Sequence, residues 1–477
     1  MDPSIAGPLP RGASASTLLK VGHRPTYRLK GEIVNQHAAP RATTEPPGAA
    51  RKKEAKKATW VAVFGTFVEY YDFSVYGYVA ATIAMAFFPA GNTAAALLNS
   101  FAIFGLAFVA RPVGAWVFGH LGDTRGRRTA LIATITLMGI ASGITGLLPV
   151  YAQIGLAAPA LLVMMRFLQG FSAGGEIGGA AAYIREWASP GRRAFYISFI
   201  PSFANLGKGL AAGVAAIMAT SLSADQMVSW GWRVPFLLAI PLAFAVIWMR
   251  LHIEDSPEFR ELQRSSETAP VRKTPLRTIF RKHPAALLKV TLIATVQTTG
   301  TYVGTVFVAT YFSEFLGFTS GQASTIVLLA VLFAALLIPV AGLLGNRLGG
   351  RRILLICYAA YVLVTLPEFF LMQQHSFGLA LLGLMIGILP YALCQVGTYS
   401  TMPELYPTDV RHTGISFGHS TGSVIGGGLM PYLSTYLIGA TGNTYMPAFL
   451  LILAGLVGLV TVGVFVRKNP DGSHLYR

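Results

Sequence analysis

The chain has 477 residues, of which 53% are hydrophobic and only 12% are charged. Roughly a quarter of the residues in soluble domains are charged, so this composition excludes an ordinary soluble protein and indicates an integral membrane protein. The net charge of +17 would suggest nucleic-acid binding in a soluble chain, but here Lys and Arg concentrate in the short gaps between apolar runs, which is the positive-inside pattern.

Residues 1–58 are rich in Pro, Ala, Arg and Thr, and they contain no apolar run that could act as a cleavable signal peptide. We expect this segment to be a disordered tail. Its basic end, RKKEAKK at 51–57, directly precedes the first apolar run and predicts a cytoplasmic N-terminus, with attraction to anionic lipids as a minor addition.

Apolar runs of about 20 residues or more predict membrane-spanning helices. We place twelve of them in two sets of six, separated by the charged segment 251–284. Predicted spans 1 to 6 cover 59–88, 94–119, 129–149, 158–184, 195–220 and 233–250. Predicted spans 7 to 12 cover 285–312, 322–346, 353–373, 378–402, 414–438 and 445–466. The expected fold is therefore all-α, with six-helix bundles at 59–250 and 285–466, a cytoplasmic connector at 251–284 and a cytoplasmic tail at 467–477.

A charged turn occurs at the same place in each half of the chain. The stretch GHLGDTRGRR at 119–128 returns as GLLGNRLGGRR at 342–352, with a constant offset of 223 residues at Gly119, Gly122, Asp123, Gly126 and Arg128. Four of these five positions are identical in the second copy, where only Asp123 is replaced, by Asn346. This register indicates an internal duplication.

Longer motifs carry a resemblance to a known family. They are VEYYDFSVYGY at 68–78, FVARPVGAWVFG at 108–119, RFLQGFSAGGEIGGAAAYIREWASPGRR at 166–193 and PELYPTDVRHTGISFGHSTGSVIGGGLMP at 403–431. With the repeated turn, they resemble the major facilitator superfamily, and within it the metabolite:proton symporters. Known members of that family carry proline and betaine, 2-oxoglutarate, citrate or shikimate. The resemblance implies a secondary carrier that works by alternating access.

Ionisable residues inside the predicted spans are the first candidates for coupling, because such groups are costly in a membrane and mark function. Glu69 and Asp72 are three residues apart and share one helix face, where two neighbouring carboxylates would favour holding a proton. We expect Asp72 to be the proton site; the alternative is that each acid pairs permanently with a basic residue. Glu176 is a further candidate, and for Arg166 a link to proton coupling is implied by the family resemblance.

Two cations in the first half are candidate ligands for an anionic substrate. Arg111 carries a planar fork suited to a carboxylate, and its alternative role is a structural pair with an acid. Lys208 follows Asn205 by about one turn, and it would favour a di- or tricarboxylate over a zwitterion. The alternative is that Lys208 balances Glu176 or reaches an interface.

The remaining candidates for the substrate site are neutral polar residues. We include five of them: Tyr71, Asn205, Gln297, Tyr302 and Tyr391. Gln395 and Tyr399 are weaker candidates, and we interpret His419 as a packed histidine. Cys357 and Cys394 lie in apolar runs and predict neither a disulfide nor a metal site.

The repeated turn also predicts a gate. Asp123, with Arg127 and Arg128, can bind helix-end dipoles and cations across the cytoplasmic gap, while Gly119 and Gly122 allow close approach. The pairs Glu186–Arg193 and Glu404–Arg411 repeat with the same spacing of 7 and belong to the same candidate gate. A topology signal alone is the alternative.

We therefore predict a monomeric, multi-pass inner-membrane carrier that imports a small carboxylate metabolite with protons, without cofactor, metal or nucleic acid. The alternatives are a proline or betaine symporter, a proton-driven exporter, or a membrane sensor on the same fold. A membrane enzyme is not supported, since no metal-ligand cluster or activated nucleophile is evident. Because the intramembrane charges crowd into the first half, we expect the C-terminal bundle to be chiefly a neutral wall.

Overall fold

The computed structural model describes residues 48–88, 93–125, 127–174, 184, 190–251, 275–406 and 410–466. Every regular element in these residues is helical. Residues Lys52–Arg477 form one compact unit. Met1–Arg51 form a separate unit, of which only the first residues of one helix are described.

In the N-terminal half, here residues 48–251, seven helices of the described part have eight or more residues. They are α1 (Gly48–Tyr78), α2 (Ala80–Phe87), α3 (Thr93–Arg125), α4 (Arg127–Leu147), α5 (Ala157–Ala173), α6 (Arg193–Ser221) and α7 (Arg233–Leu251). Short helical segments lie between them at Tyr151–Ile154, Pro190–Arg192, Ala224–Gln226 and Met227–Gly231.

The C-terminal half, here residues 275–466, opens with a short helix at Pro275–Lys282. Its long helices are α8 (Pro284–Tyr302), α9 (Ser320–Leu348), α10 (Gly350–Met372), α11 (Phe377–Thr401), α12 (Arg411–Ser423), α13 (Met430–Thr441) and α14 (Met446–Val460). Short segments follow some of these helices. The π-helical ones are Val303–Phe307, Tyr311–Phe315, Val424–Leu429 and Thr461–Phe465, Met402–Leu405 is a 3₁₀-helix, and Val308–Thr310 is a short α-helix.

Nine helices among the described residues are long and apolar enough to cross a membrane, and they coincide with predicted spans 2, 3, 5 to 10 and 12. Predicted span 1 coincides with α1 and α2, which are separated at Val79, and predicted span 11 coincides with α12 and α13, which a π-helical segment separates. Predicted span 4 coincides with α5, and residues 175–183 of that span lie outside the described part. The helical membrane fold is thus confirmed, while the count of twelve stays a prediction.

The two halves meet along helix pairs that small residues bring close together. α6 packs lengthwise against α9: Gly321 adjoins Thr220 near one end, the Ser202 hydroxyl donates to the Ala335 carbonyl at 2.6 Å, and Gly342 adjoins Ser198 near the other. α3 similarly contacts α12, α13 and the segment between them. Close approach through small residues is the usual basis of helix packing in membranes.

The connections between helices lie at two ends of the bundle. The turn end carries the connections α3–α4 and α9–α10, where the repeated turns lie. The opposite end carries the connections α4–α5 and the one that precedes α9 at residues 316–319.

Candidate functional site

Five charged side chains lie buried at the centre of the molecule. They are Glu69, Asp72, Arg111, Arg166 and Lys208, and each is at most 2% exposed. They come from α1, α3, α5 and α6, all in the N-terminal half, as the sequence predicted. Buried charges are stable only when they are paired or hydrogen-bonded, so the partners of each one define the site.

Glu69 and Arg111 form an ion pair between α1 and α3, with Arg111 Nη2 3.4 Å from Glu69 Oε1. The Arg111 guanidinium also lies over the rings of Phe73 and Phe108, at 4.1 and 4.8 Å from their centroids. These contacts combine a charge-assisted pair with cation–π attraction. Of the two roles that the sequence left open for Arg111, the arrangement observed is the pair with an acid.

Asp72 belongs to a different network. The Ser142 hydroxyl of α4 lies within hydrogen-bonding distance of Asp72 Oδ1, and Gln169 Nε2 of α5 is 2.8 Å from Ser142 Oγ and 3.4 Å from Asp72 Oδ1. The other carboxylate oxygen, Asp72 Oδ2, has no hydrogen-bond partner among the described residues. The expected pairing of Glu69 with Asp72 is therefore replaced by two separate networks, because each carboxyl finds its partners on other helices.

Arg166 joins the Asp72 network through Gln169, whose amide oxygen accepts a hydrogen bond from Arg166 Nη1 at 2.8 Å. The guanidinium lies over Tyr76 at 4.3 Å and also approaches Phe73, the ring that Arg111 contacts. Among the described residues no carboxylate lies within ion-pair distance of Arg166, and Nε and Nη2 have no hydrogen-bond partner. Gln169 was not a candidate in the sequence analysis, and its amide group links Asp72 to Arg166.

Lys208 connects the two halves. Its ammonium donates hydrogen bonds to Tyr391 of α11 at 2.8 Å and to Thr305, just after α8, at 3.0 Å. Tyr391 in turn donates to the side-chain oxygen of Asn205 at 3.1 Å. No carboxylate in the described part of the chain lies within 4.0 Å of this ammonium, so all of its observed partners are neutral.

A neutral polar cluster occupies the C-terminal half beside Lys208. Gln297 donates to Gln395 at 2.8 Å, Gln395 donates to Thr301 at 2.9 Å, and His419 lies 3.3 Å from the Gln297 oxygen. His419 also stacks on Tyr399, with ring centroids 6.2 Å apart. The interpretation of His419 as a packed histidine agrees with these contacts.

Two of the predicted substrate residues make other contacts. The Tyr71 hydroxyl donates to the Pro235 carbonyl of α7 at 2.7 Å, so it serves packing within the N-terminal half. Tyr302 packs against Phe108 with ring centroids 4.8 Å apart, and its buried hydroxyl lies beside the Arg111 guanidinium.

One buried acid was missed by the sequence reasoning. Glu368 of α10 is 4% exposed and lies in the C-terminal half, which the sequence predicted to be chiefly neutral. It is four residues from the end of α10 and follows Pro367, so it resembles an ordinary acid at a helix end. Its position inside an apolar run was the signal that could have found it.

At the turn end, the second copy of the repeated turn bridges the halves. The Asn346 side-chain oxygen accepts a hydrogen bond from the backbone N–H of Ala194, in the first turn of α6, at 3.0 Å. A Cβ atom on Gly345 would lie 3.1 Å from Ala194 Cβ, so the small residue here permits this approach. An amide oxygen can accept from a helix N-terminus, so this copy of the turn joins the two halves without the acid of the first copy.

The first copy of the gate lies largely outside the described residues, which include the backbone of α3 and α4 but not the side chains of Asp123, Arg127 and Arg128. The same holds for Glu176, Glu186 and the side chain of Arg411, and Gly119 is described only as part of α3. Arg193 is exposed and Glu404 is half-buried. Their gating roles stay predictions.

A cavity of about 440 Å³ lies between the halves at the opposite end. Its walls carry many hydroxyl groups, including those of Tyr78, Thr220, Thr310 and Ser324. Tyr78 donates to the Thr305 carbonyl at 2.9 Å, and Thr305 also binds Lys208, so this one residue lies between the cavity and the central lysine.

Comparison with known proteins identifies the type of molecule. The family model described as Major Facilitator Superfamily matches residues 62–427. The inner membrane metabolite transport protein YhjE of Escherichia coli is 34% identical over 88% of this chain and 95% of its own length. The shikimate transporter of Escherichia coli is 32% identical over 88% and 96%, and the glycine betaine/proline/ectoine/pipecolic acid transporter OusA of Dickeya dadantii is 32% identical over 87% and 84%.

Among solved structures, the proton:xylose symporter XylE bound to 6-bromo-6-deoxy-D-glucose superposes with a TM-score of 0.71. The match covers 89% of this chain and 97% of that one at 16% identity, so it supports the fold. These relatives are named as transporters, in agreement with the prediction of a carrier rather than an enzyme.

Proposed function

Since the chain belongs to the major facilitator superfamily, a family of membrane transporters, we propose that it is a proton-coupled symporter that imports a small carboxylate metabolite. Transport by alternating access requires a polar site near mid-membrane that opens to one side at a time. The buried networks around Asp72 and Lys208 are the candidate proton site and substrate site.

The observation that carries the carboxylate proposal is the environment of Lys208. A buried ammonium costs several kcal/mol unless an anion accompanies it, and Thr305 and Tyr391 are neutral. A substrate carboxylate that displaces these two hydroxyls would give Lys208 a charge-assisted hydrogen bond. Because both hydroxyls belong to the C-terminal half, such binding would also change the contact between the halves.

The balance of charge at the centre favours the same substrate class. Among the five buried charges described above, the cations Arg111, Arg166 and Lys208 exceed the acids Glu69 and Asp72 by one. Each proton taken up by Asp72 would enlarge the excess of positive charge. An anionic substrate that enters with the proton restores the balance, which gives symport a physical reason.

Asp72 has the geometry of a site with two protonation states. The single proton of the Ser142 hydroxyl has two acceptors within reach, Asp72 Oδ1 and the Met138 carbonyl at 2.9 Å. When Asp72 is ionised, Ser142 donates to it. When Asp72 carries a proton, Asp72 donates to Ser142 and the serine proton turns to the Met138 carbonyl. Both states keep a complete set of hydrogen bonds at Ser142.

Gln169 provides the link from Asp72 to Arg166. Its amide donates towards Asp72 and Ser142 while its oxygen accepts from Arg166. Protonation of Asp72 weakens its attraction for Gln169 and leaves Arg166 as an uncompensated cation. We infer that this loss of attraction promotes the rocking of one half against the other. The turn end would face the cytoplasm, and the cavity at the opposite end would admit the substrate.

A substrate panel in proteoliposomes tests the proposal. The purified full-length protein is given 2-oxoglutarate, citrate, shikimate, proline or glycine betaine, with and without an imposed inward proton gradient. We expect the gradient to drive accumulation of at least one carboxylate. Transport confined to proline or glycine betaine would contradict the carboxylate assignment, and accumulation that the gradient does not change would contradict proton symport. Extrusion under an inward gradient would favour an exporter.

A further inference from the structure

Four polar side chains form a stripe along α10. They are Tyr358, Tyr361, Thr365 and Glu368, which are separated by 3, 4 and 3 residues and are all buried. At 3.6 residues per turn these positions lie on one face of the helix. The stripe faces the interior of the C-terminal half, and none of its members belongs to the networks around Asp72 and Lys208.

Neighbouring glycines make room for this stripe. Tyr358 packs its ring on Gly458, the Tyr361 hydroxyl adjoins Gly300 of α8, and the Glu368 carboxyl adjoins Gly387 of α11. A side chain at any of these three glycines would collide with the stripe. The Glu368 carboxyl occupies the space that a side chain at position 387 would fill, so it lies between α10 and α11 rather than at a lipid-facing surface.

Several polar atoms of the stripe lack partners. The hydroxyls of Tyr361 and Thr365 have no hydrogen-bond partner in the described residues. Nor does any Lys, Arg or His of the described residues lie within ion-pair distance of Glu368. The titratable groups that face it are the tyrosines Tyr311, from the extension of α8, and Tyr361 on its own helix. Buried polar groups without protein partners require water or protonation.

The stripe leads from the opposite end to the central polar cluster. Near its outer end, Gln373 donates to Tyr311 at 3.0 Å, one turn beyond Glu368. At its inner part, Tyr361 adjoins Gly300, and the next residue, Thr301, accepts hydrogen bonds from Gln297 and Gln395. Thr365 and Tyr361 therefore lie between Glu368 and the cluster beside Lys208 along α10, and water would have to link their hydroxyls.

We propose that Glu368 is a second proton-binding site, loaded from the opposite end, and that the stripe connects it to the centre. This inference rests on the proposed symport. A proton from solution converts the Glu368 carboxylate into a neutral carboxylic acid, and its release restores the carboxylate. Because no fixed cation among the described residues compensates the ionised form, Glu368 is neutral while the packing of α10 against α11 encloses it and ionised when water reaches it from the opposite end. One transport cycle then carries a proton on each half.

Infrared difference spectroscopy of the full-length protein in lipid vesicles tests the protonation directly. The spectrum of the parent chain minus that of Glu368→Gln should contain the C=O band of a carboxylic acid at neutral pH. The control is Glu314→Gln, because Glu314 is an exposed acid at the same end and its difference spectrum should contain carboxylate bands. Carboxylate bands for both residues would overturn the proposal. Glu368→Met, with an apolar side chain of similar length, replaces Glu368→Gln if that variant does not insert.

Accumulation measurements test the role in coupling. With the carboxylate that the parent chain accumulates from the panel, each pH unit of imposed gradient multiplies the final concentration ratio by about tenfold per coupled proton. In Glu368→Gln, the final concentration ratio should be about tenfold lower than in the parent chain for each pH unit of gradient, while substrate exchange is retained. Unchanged dependence on the gradient in Glu368→Gln would overturn this inference alone. A parent chain that ignores the gradient would overturn the symport proposal as well.

Discussion

The Asn346 side-chain oxygen accepts the backbone N–H of Ala194 at 3.0 Å, and this bond joins the last turn of α9 to the first turn of α6. An acceptor at a helix N-terminus satisfies one of the free N–H groups there and interacts favourably with the helix dipole. Since α9 and α6 belong to different halves, the bond joins the halves at the turn end. We expect it to break when that end opens.

Asn346→Ala should make the turn end open more readily. The lost hydrogen bond is worth about 0.5–1.5 kcal/mol, which corresponds to roughly a 2- to 12-fold shift in the population of the open form. The measurement is the alkylation rate of Ser198→Cys, at the contact with Gly342, after Cys357 and Cys394 have been replaced by Ala. We expect faster alkylation in Asn346→Ala.

Asn346→Asp provides the matched comparison. The carboxylate keeps the acceptor and adds a favourable charge at the helix N-terminus, worth about 0.3–1 kcal/mol. Alkylation at position 198 should therefore be slower than in the parent chain. An equal rate in Asn346→Ala, Asn346→Asp and the parent chain would show that this bond does not control the turn end.

Ser142→Ala should move the pH dependence of uptake to higher pH. Ser142 donates to the ionised form of Asp72, so its removal destabilises that form, and proton binding then occurs at a lower proton concentration. A hydrogen bond to a charged group is worth about 1.5–3 kcal/mol, so the midpoint of the pH profile should rise by roughly one to two units. The measurement is the initial uptake rate as a function of external pH.

The control for Ser142 lies one turn further along α4. Thr145 is also buried, but its hydroxyl donates to the Ala141 carbonyl of the same helix at 2.8 Å and has no link to Asp72. Thr145→Val should leave the midpoint unchanged. A midpoint in Ser142→Ala equal to that of Thr145→Val would remove Ser142 from the proton site.

Asp72→Asn should separate exchange from accumulation. The amide can still form hydrogen bonds with Ser142 and Gln169, so the site keeps its shape, but it cannot gain or lose a proton in the transport range. Exchange of labelled for unlabelled substrate should continue, whereas accumulation driven by a pH gradient should disappear. Accumulation at the parental level would exclude Asp72 as the essential proton site.

Lys208→Gln should weaken carboxylate binding without disrupting the fold. Glutamine can still bond to Tyr391 and Thr305 but carries no charge. Loss of a charge-assisted hydrogen bond of about 1.5–3 kcal/mol predicts a KM at least roughly tenfold higher for the carboxylate. Lys289→Gln, on α8 and outside this network, is the control. A KM that changes equally in both variants would indicate a general charge effect.

The fold could be predicted from the sequence because apolar runs are local signals. The runs that form α9 and α10, for example, each predict one membrane-spanning helix. The sequence also contained the identity of the central charges, since an ionisable residue within an apolar run stands out. The sequence could not show which residue each charge contacts. Arg111 contacts Glu69 only because α1 packs against α3, and Gln169 contacts Ser142 only because α4 packs against α5.

Two features that the sequence did not predict have a common physical origin. The bond of Asn346 depends on the backbone N–H of Ala194, at the start of another helix. Glu368 was passed over because the space that receives it is made by Gly387, on another helix. In both cases the decisive group lies on a neighbouring element, and a pattern within one segment carries no information about it.

Gly105→Ala should impair transport more than it impairs insertion. A Cβ atom there would lie 2.9 Å from the Gly428 carbonyl oxygen, in the segment that connects α12 and α13, so backbone rather than a flexible side chain would have to yield. Such overpacking costs about 1–3 kcal/mol, and it acts where α3 contacts the C-terminal half. We expect a several-fold lower initial uptake rate, and Gly428→Ala should have the same effect, because its Cβ atom would lie 3.0 Å from the Gly105 carbonyl oxygen. Gly439→Ala in α13 has open space around it and should gain helix stability, so a loss of uptake in that control would contradict the packing explanation.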